Sequence, residues 1–305
     1  MSEKLGKQTA KDKGKRAHHY GERMPRWLLR PVRAGAGMAQ VKGVLDEYGL
    51  HTVCRSARCP NHGECFSART ATFMILGDVC TRRCTFCAVS KGTPAAREKD
   101  EPERVARAAA KLQLRHLVIT SVTRDDLPDG GAAHFAETIC AARALLPEAT
   151  IEVLTPDFRG EEAAARTVLE AGPDVFNHNL ETVEGLYPKV RPQADYARSL
   201  ELLRFAAGEF PGIRSKSGLM VGLGETREEL GETFKDLHEV GCHILTLGQY
   251  LRPSATNIET DRFISPAEFE ELEAAARDAG IPQVFAGPLV RSSYHAGELV
   301  TDLRD

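Results

Sequence analysis

From Thr70 onward, the chain alternates short apolar runs rich in branched residues with longer segments of helical spacing. Because consecutive parallel strands need a crossover of a dozen or more residues, usually a helix, this alternation predicts a parallel sheet covered by helices. The predicted strands cover 72–76, 116–121, 151–154, 174–179, 217–222 and 243–247, and the predicted helices cover 103–113, 132–146, 161–171, 195–207, 226–240 and 267–279. The fold class is therefore α/β, and six such units indicate a partial (β/α)6 TIM-like barrel.

The chain divides into four regions around this barrel, which we place at residues 70–280. Residues 1–42 carry 11 Lys or Arg against 3 Asp or Glu and form a basic, flexible N-terminal arm. Such an arm could bind an acidic partner or nucleic acid, or it could only keep the protein in solution. We expect that it only keeps the protein in solution. Residues 43–69 and 281–305 flank the barrel, and we expect both extensions to cover its mouth.

Composition excludes several classes of protein. Charged residues make up 27% of the chain and hydrophobic residues 42%, as in folded soluble proteins. The longest apolar runs fall far short of the roughly 20 residues that cross a bilayer, and the start shows no secretory signal. We therefore expect a cytoplasmic protein that binds neither a membrane nor nucleic acid.

Six of the eight cysteines lie in two groups of three: Cys54, Cys59 and Cys65, then Cys80, Cys84 and Cys87. Groups of three suit iron–sulfur clusters that keep one iron free for another ligand. The second group directly follows the first predicted strand, where a barrel opens its active site. A zinc site that recruits His62 remains an alternative for the first group. Cys140 and Cys242 have apolar neighbours, and we interpret them as core residues.

The run Cys80-x-x-x-Cys84-x-Phe86-Cys87 resembles the cluster-binding loop of the radical S-adenosylmethionine superfamily. Gly130-Gly131 and the run 218–225 resemble two further motifs of that superfamily, in the same order. The chain resembles the lipoyl synthase family more closely still, over roughly residues 24–297. That likeness rests on the first cysteine group and on residues 77–87, 177–183, 190–196 and 291–294.

The resemblance implies two 4Fe–4S clusters and S-adenosylmethionine as co-substrate. Cys80, Cys84 and Cys87 would hold the cluster that binds and cleaves S-adenosylmethionine to methionine and 5′-deoxyadenosine. Cys54, Cys59 and Cys65, with Ser292, would hold an auxiliary cluster that is consumed as the sulfur donor, and Ser293 is the fallback ligand. An alkoxide is a hard ligand that iron in a sulfide cluster releases readily, so the serine corner can open.

The implied activity is that of a sulfurtransferase, which inserts two sulfur atoms at the sixth and eighth carbons of a protein-bound octanoyl-lysine. Ser292 and Arg291 are the candidate catalytic residues. Candidate cofactor contacts are Phe86, Gly130, Gly131, Asn179, Glu181, Arg191, Lys216 and Met220. Phe86 could instead only exclude water, and the charged residues could form surface ion pairs.

The implied partners are octanoylated lipoyl carrier domains of 2-oxoacid dehydrogenase complexes and the H protein of glycine cleavage. An electron donor such as flavodoxin or ferredoxin and an iron–sulfur carrier that rebuilds the consumed cluster are also implied. Another two-cluster radical enzyme that inserts sulfur into a small molecule, an electron carrier, and a zinc-stabilised binding module remain as alternatives. A ferredoxin-like carrier would use four thiolates per cluster and would not need a barrel.

Overall fold

The computed structural model describes residues 18–19, 22–29, 36–67 and 71–293. Its main sheet has eight strands, which are β1 (His51–Thr52), β2 (Thr72–Ile75), β3 (His116–Ser121), β4 (Thr150–Leu154), β5 (Val175–Asn177), β6 (Arg214–Val221), β7 (Ile244–Gln249) and β8 (Gln283–Gly287). Strands that follow one another along the chain are neighbours in the sheet. All pair in parallel except β1, which pairs antiparallel with β2. Across the described residues the hydrogen-bond ladder does not close into a ring, so the barrel is partial.

Helices connect the parallel strands. The α-helices of the described chain are α1 (Ala36–Glu47), α2 (Val53–Ser56), α3 (His62–Ser67), α4 (Glu101–Lys111), α5 (Ala132–Leu145), α6 (Glu162–Glu170), α7 (Tyr187–Val190), α8 (Tyr196–Glu209), α9 (Arg227–Glu239) and α10 (Pro266–Asp278). Short 3₁₀ helices cover Arg26–Leu28, Phe158–Gly160 and Glu184–Leu186. Two-residue strands pair His18–His19 with Glu22–Arg23, and Val79–Cys80 with Ser90–Lys91.

Local sequence fixes where several of these helices begin. Thr226 and Ser265 each accept a hydrogen bond from the backbone three residues on, and Glu229 and Glu268 complete the capping boxes of α9 and α10. Gly131 precedes α5 with φ of +93°, a conformation that glycine adopts without a steric cost. The caps therefore set the helix starts before any tertiary contact does.

The core lies on both sides of the sheet. Phe73, Ile119 and Val153 on β2 to β4 pack with Phe135 of α5, and all four are fully buried. A second cluster joins β6 and β7 to α9 and α10. Because parallel strands covered on both faces are largely apolar, β2 and β3 read in the sequence as nearly continuous apolar runs. The rigid sheet holds all its carboxyl-end loops at one end of the molecule.

The structure confirms the α/β fold, all six predicted strands and all six predicted helices. The ends of these elements differ from the predicted ends by a few residues. It adds a seventh parallel strand, β8, in the segment expected to lie beyond the barrel. The basic arm also differs from prediction, because α1 begins at Ala36 and buries Val41, so the arm does not extend to residue 42. Residues 1–17 lie outside the described residues. No helix of the described chain is both long and apolar enough to cross a membrane.

Candidate active site

The loop that carries Cys80, Cys84 and Cys87 follows β2 and is fastened to three neighbouring loops. The Thr81 backbone N–H donates to the Thr123 carbonyl at 3.1 Å, and that of Thr85 donates to the Val190 carbonyl at 3.0 Å. The Asn257 side chain donates to the carbonyl of Cys87 at 3.0 Å. These hydrogen bonds hold the backbone of the cysteine loop against its neighbours.

Arg82, between the first two of these cysteines, is the central charge of a buried network. It is 5% exposed, and its guanidinium donates two hydrogen bonds to Asp125 at 2.7 and 2.9 Å and one to Asp157 at 2.6 Å. Asp157 is fully buried, and the hydrogen bond and charge of Arg82 help to lower its pKa to about 2 despite burial, which acts in the opposite direction. The network ties the cysteine loop to the loops after β3 and β4.

The chemistry of the thiols fits an iron–sulfur cluster. Burial raises the pKa of Cys87 to about 12, and it also raises the pKa of Cys84 although the Arg191 charge opposes that shift. Cys80 and Cys84 both act on the charge of Cys87, so the three thiols lie close together. Burial disfavours a bare thiolate, and bonds to iron would replace the protons.

The first cysteine group forms a second centre of the same kind. Cys54 lies in α2, Cys65 in α3, and Cys59 in the turn between them. Together with Arg291 and Ser293 they line a cavity of about 20 Å³. Burial and the neighbouring thiols of Cys54 and Cys59 raise the pKa of Cys65 to about 12. These three thiols also suit a cluster rather than free thiolates.

The zinc alternative finds little support in the geometry around His62. Its Nδ1 lies 3.0 Å from the Cys59 carbonyl oxygen, and its ring meets the Phe66 ring edge-on. In the described part of the chain, no three His, Cys, Asp or Glu side chains are grouped so that they could hold a single metal ion. The ligands of a multi-iron cluster sit on separate corners and need not converge on one point.

The two candidate serine ligands have different surroundings. Ser292, the serine that sequence favours, bonds to the side-chain amide of Asn179, with oxygen and nitrogen distances of 3.0 and 2.8 Å. Ser293 lines the small cavity with the three cysteines, and Ser292 does not. Tyr294, the last residue of this motif, lies outside the described residues.

A larger cavity of about 450 Å³ lies between the two cysteine groups. Cys59 and Cys87 both line it, and so do Ser292 and Ser293. Much of its wall is apolar, with contributions from Met24, Leu28, Leu154, Leu219, Tyr250, Leu251 and Val290. The cavity is of the size that takes a small organic ligand.

Four of the predicted cofactor contacts line this cavity, namely Phe86, Asn179, Glu181 and Met220, and so does the candidate catalytic residue Arg291. Glu181 has a left-handed φ of +68°, which is uncommon outside glycine and is held by backbone hydrogen bonds to β6. Burial raises the pKa of Glu181, while the charge of Arg191 opposes that rise. Asn179 donates a hydrogen bond to Glu181 at 3.1 Å. These polar groups form one connected side of the cavity.

The other predicted contacts lie behind the cavity wall. Arg191 is 8% exposed and donates to the carbonyls of Asn179 and Leu180 at 2.8 and 3.0 Å, so it supports the polar side from behind. Gly130 and Gly131 lie at the start of α5 with positive φ and do not line the cavity.

Lys216 differs most from its predicted role as a cofactor contact. It is fully buried inside the barrel, where its ammonium donates to Glu152 at 2.8 and 3.0 Å. Charge from Lys216 helps to lower the pKa of Glu152 to about 2 against the effect of burial. A lysine near the start of β6 is too far down the barrel to reach the mouth, so its charge pairs internally.

Sequence analysis missed four residues of the site: Arg82, Asp125, Asp157 and His178. His178 follows β5 and is buried, and burial together with the charge of Arg191 lowers its pKa to about 4. Its Nδ1 lies 2.9 Å from the Thr155 carbonyl oxygen. A signal was present, because Asp125 and Asp157 follow predicted strand ends and His178 lies in the last residues of the predicted strand 174–179. A barrel places its polar site residues at such strand ends.

A family model described as the Radical SAM superfamily matches residues 74–237. Lipoyl synthase from Rubrobacter xylanophilus is 55% identical over 280 residues, which cover 92% of this chain and 87% of that protein. Lipoyl synthase from Caldanaerobacter subterraneus subsp. tengcongensis is 55% identical over 274 residues, covering 90% and 96%. The likeness therefore extends over almost the whole of each protein.

Solved structures with a similar fold are far more distant in sequence. Streptococcus suis SuiB bound to S-adenosylmethionine superposes with a TM-score of 0.54 at 12% identity, over 74% of this chain and 53% of that one. The FeFe-hydrogenase maturase HydG from Carboxydothermus hydrogenoformans gives a TM-score of 0.53 at 18% identity, over 75% and 65%. At such identities the likeness concerns the fold alone.

Proposed function

Because the chain belongs to the lipoyl synthase family of the radical S-adenosylmethionine superfamily, we propose that it inserts two sulfur atoms at the sixth and eighth carbons of a protein-bound octanoyl-lysine. It is a sulfurtransferase that uses S-adenosylmethionine and 4Fe–4S clusters. The observation that carries the specific reaction is that both cysteine groups reach one cavity, through Cys59 and Cys87. A radical formed at one group can thus act on a substrate that also touches the other.

Cys80, Cys84 and Cys87 hold the cluster that binds S-adenosylmethionine. When bound, this cluster supplies the electron that splits S-adenosylmethionine into methionine and a radical able to abstract hydrogen from an unactivated carbon, which no base near neutral pH can deprotonate. The Arg82 network holds the loop in place, and Phe86 and Met220, which line the cavity, would pack against the cofactor and exclude water. Asn179 and Glu181 bind its polar groups, with Arg191 positioning their backbone.

Cys54, Cys59 and Cys65 hold the auxiliary cluster, from which both sulfur atoms come. The serine ligand comes from residues 292–293, and its place beside the cysteines favours Ser293. Asn179 then holds Ser292 and thereby fixes the segment that carries Ser293. Arg291 lies close enough to act on the charge of Cys59 and would stabilise the negative charge of the cysteine ligands. Residues 43–69 and 281–305 accordingly act as one ligand-supplying cover.

The octanoyl chain lies along the apolar part of the cavity wall, between the two cysteine groups. Its lysine is part of a lipoyl carrier domain of a 2-oxoacid dehydrogenase complex or of the glycine cleavage H protein. Reduction requires a donor such as flavodoxin or ferredoxin, and an iron–sulfur carrier rebuilds the consumed cluster. These partners are cytoplasmic in a bacterial cell, and so is the reaction that we propose.

The deciding experiment is a single turnover under strictly anaerobic conditions. The reconstituted protein is incubated with S-adenosylmethionine, dithionite and an octanoyl-lysine peptide, and the peptide is analysed by mass spectrometry. Iron and sulfide are counted before and after. We expect a product with two added sulfur atoms, 5′-deoxyadenosine, and loss of the iron of one cluster.

Each part of the proposal can fail separately in this experiment. Formation of 5′-deoxyadenosine without sulfur on the peptide would contradict the substrate and would favour a small-molecule acceptor. A dithiolated peptide with both clusters intact would contradict the auxiliary cluster as sulfur source. A variant with Cys54, Cys59 and Cys65 all changed to Ala is the matched control, because it keeps the other cluster and its cleavage of S-adenosylmethionine.

A further inference from the structure

Residues 24–29, which we call the mouth segment, present two different faces. Met24 and Leu28 line the large cavity, and Leu28 is 3% exposed. Trp27 and Leu29 do not line it, and each is 45% exposed. The segment contains a short 3₁₀ helix over Arg26–Leu28, and its tight turn places neighbouring side chains on different sides. The same few residues thus form part of the inner cavity wall and part of the outer surface.

The outer face is unusual in its apolar character. Within the residues that the structure describes, the strongly exposed large apolar side chains are Trp27, Leu29 and Leu145. Leu145 stands alone at the end of α5, whereas Trp27 and Leu29 lie together beside the cavity. Exposed apolar groups that cluster mark contact sites, and tryptophan contributes more than any other residue to the binding energy of protein interfaces.

Two exposed arginines accompany this apolar pair. Arg26 belongs to the mouth segment, and Arg58 lines the same cavity and donates a hydrogen bond to the Pro253 carbonyl at 3.1 Å. Neither forms an ion pair with a carboxylate in the described ranges, which leaves both charges available to an incoming group. The outer face therefore combines an apolar centre with a positive edge, which suits an acidic protein surface.

We propose that Trp27, Leu29, Arg26 and Arg58 form the docking surface for the folded, acidic body of the octanoylated carrier domain. This inference rests on the proposed function. A cavity of about 450 Å³ takes an acyl-lysine arm but not a protein domain, so the body must remain at the entrance while the arm is inside. A free octanoyl compound would make no use of this outer face.

The test compares two substrates that share one reacting group. Steady-state kinetics of the reconstituted holoenzyme are measured with an octanoylated carrier domain and with a short octanoyl-lysine peptide. Trp27→Ala is expected to raise KM for the carrier domain about tenfold and to leave kcat unchanged, as expected for loss of a central aromatic anchor. Neither constant should change for the peptide. Leu29→Ser should act in the same direction, and it replaces Trp27→Ala if that variant folds poorly.

Matched variants separate docking from other effects. Leu145→Ser removes the third exposed apolar side chain and should change the kinetic constants for neither substrate. Leu28→Ala, on the inner face, should impair the turnover of both substrates. Arg58→Gln should weaken carrier binding and reduce its dependence on salt. Equal effects of Trp27→Ala on both substrates, or none on either, would overturn the proposal. So would dissociation of a dimer by this variant in sedimentation, because the surface would then belong to a second copy.

Direct binding keeps this test independent of turnover. Trp27 is the only tryptophan in the sequence, so its fluorescence reports on this surface alone when the carrier domain contains none. We expect a blue shift when the octanoylated carrier domain is added and none with the peptide. A fluorescence shift without any sulfur insertion would support docking and contradict the proposed reaction. Sulfur insertion without a fluorescence shift would support the reaction and contradict docking.

Discussion

At the scale of single residues, burial decides which charged groups serve the fold and which serve the site. Lys216 and Glu152 are both fully buried and pair with each other, so neither has charge to offer a ligand. Asn179, Glu181 and Arg291 reach the cavity wall and face the space where a substrate would lie. Breaking a buried pair leaves an unpaired charge, which costs about 3–5 kcal/mol, so Lys216 is better described as part of the barrel's stability.

The buried His178 gives the protein a stability that falls as the pH falls. Its folded pKa is about 4, below the ordinary value of 6.5, so between these values the unfolded chain binds more protons than the folded one. The contribution of His178 to stability is fully present when the pH is above the ordinary pKa. It is lost as the pH falls toward the pKa of the folded protein. We expect wild type to lose about 2 kcal/mol more than His178→Gln between about pH 7.5 and about pH 5.

Urea unfolding of both proteins at several pH values, under anaerobic conditions, measures this difference. Cluster loss in acid affects the two proteins alike and cancels in the comparison. Parallel curves for the two proteins would show that His178 takes up its proton equally well in both states.

The two serines of the C-terminal segment should differ in their effect on the auxiliary cluster. In a background that lacks Cys80, Cys84 and Cys87, only that cluster is present. In this background, Ser293→Ala should change the electron paramagnetic resonance spectrum of the auxiliary cluster, because Ser293 lies beside the three cysteines. In the protein that keeps all six cysteines, the same substitution should lower the sulfur transferred. Ser292→Ala should leave the spectrum unaltered, because this side chain bonds to Asn179. The reverse pattern would return the ligand role to Ser292.

At the scale of elements, hydrogen bonds join the strand-end loops to one another. The cysteine loop after β2 bonds to loops after β3, β4 and α7, and Asn61 of the first cysteine segment donates to the Leu289 carbonyl beyond β8 at 2.6 Å. Loops fixed in this way hold catalytic groups more accurately than free ones. The site is therefore a property of the set of loops, which the sheet only arranges.

Arg82 is the charge that this set depends on most. Arg82→Met would remove the 2.6 Å ion pair of the fully buried Asp157 and leave it, among the described residues, with the longer 3.4 Å ion pair to Arg198. We expect a loss of about 3–5 kcal/mol in the free energy of unfolding. Displacement of the loop should also slow cleavage of S-adenosylmethionine about a hundredfold.

Urea unfolding and 5′-deoxyadenosine assays test both effects. The double variant Arg82→Met, Asp157→Asn should lose less stability than the sum of the two single variants, because it removes the unpaired charge. Arg82→Lys is the control that keeps the charge but loses the bidentate geometry. Strict additivity would mean that the two side chains do not stabilise each other.

At the scale of the whole molecule, the barrel and its two flanking segments have separable tasks. The barrel holds one cysteine group in the loop after β2. The segment between β1 and β2 carries the other cysteine group, and the segment after β8 brings the serines to it. The cavity exists only between these parts. Under the proposed function, the substrate would lie between a radical source in the barrel and a sulfur source in the cover.

A chain that ends at Gly287 should separate these tasks. It keeps every strand of the described sheet but lacks the Leu289 carbonyl, Ser292 and Ser293. We expect it to retain about four irons per chain and to cleave S-adenosylmethionine without inserting sulfur. Iron counting, 5′-deoxyadenosine assays and circular dichroism measure these outcomes. Full sulfur insertion by the shortened chain would contradict a role for the C-terminal segment, and loss of the helical signal would show that the segment is needed for folding.

The sequence by itself determined the α/β class, the six strand and helix units, and the two cysteine groups, because periodicity, capping and ligand spacing are local along the chain. Only the tertiary structure decided that β8 extends the sheet, that Arg82 bonds to Asp125 and Asp157, that Lys216 pairs inside the barrel, and that Ser293 rather than Ser292 lies beside the first cysteine group. These contacts join residues far apart in sequence, and a side chain's surroundings are fixed by what packs around it, which no local pattern records.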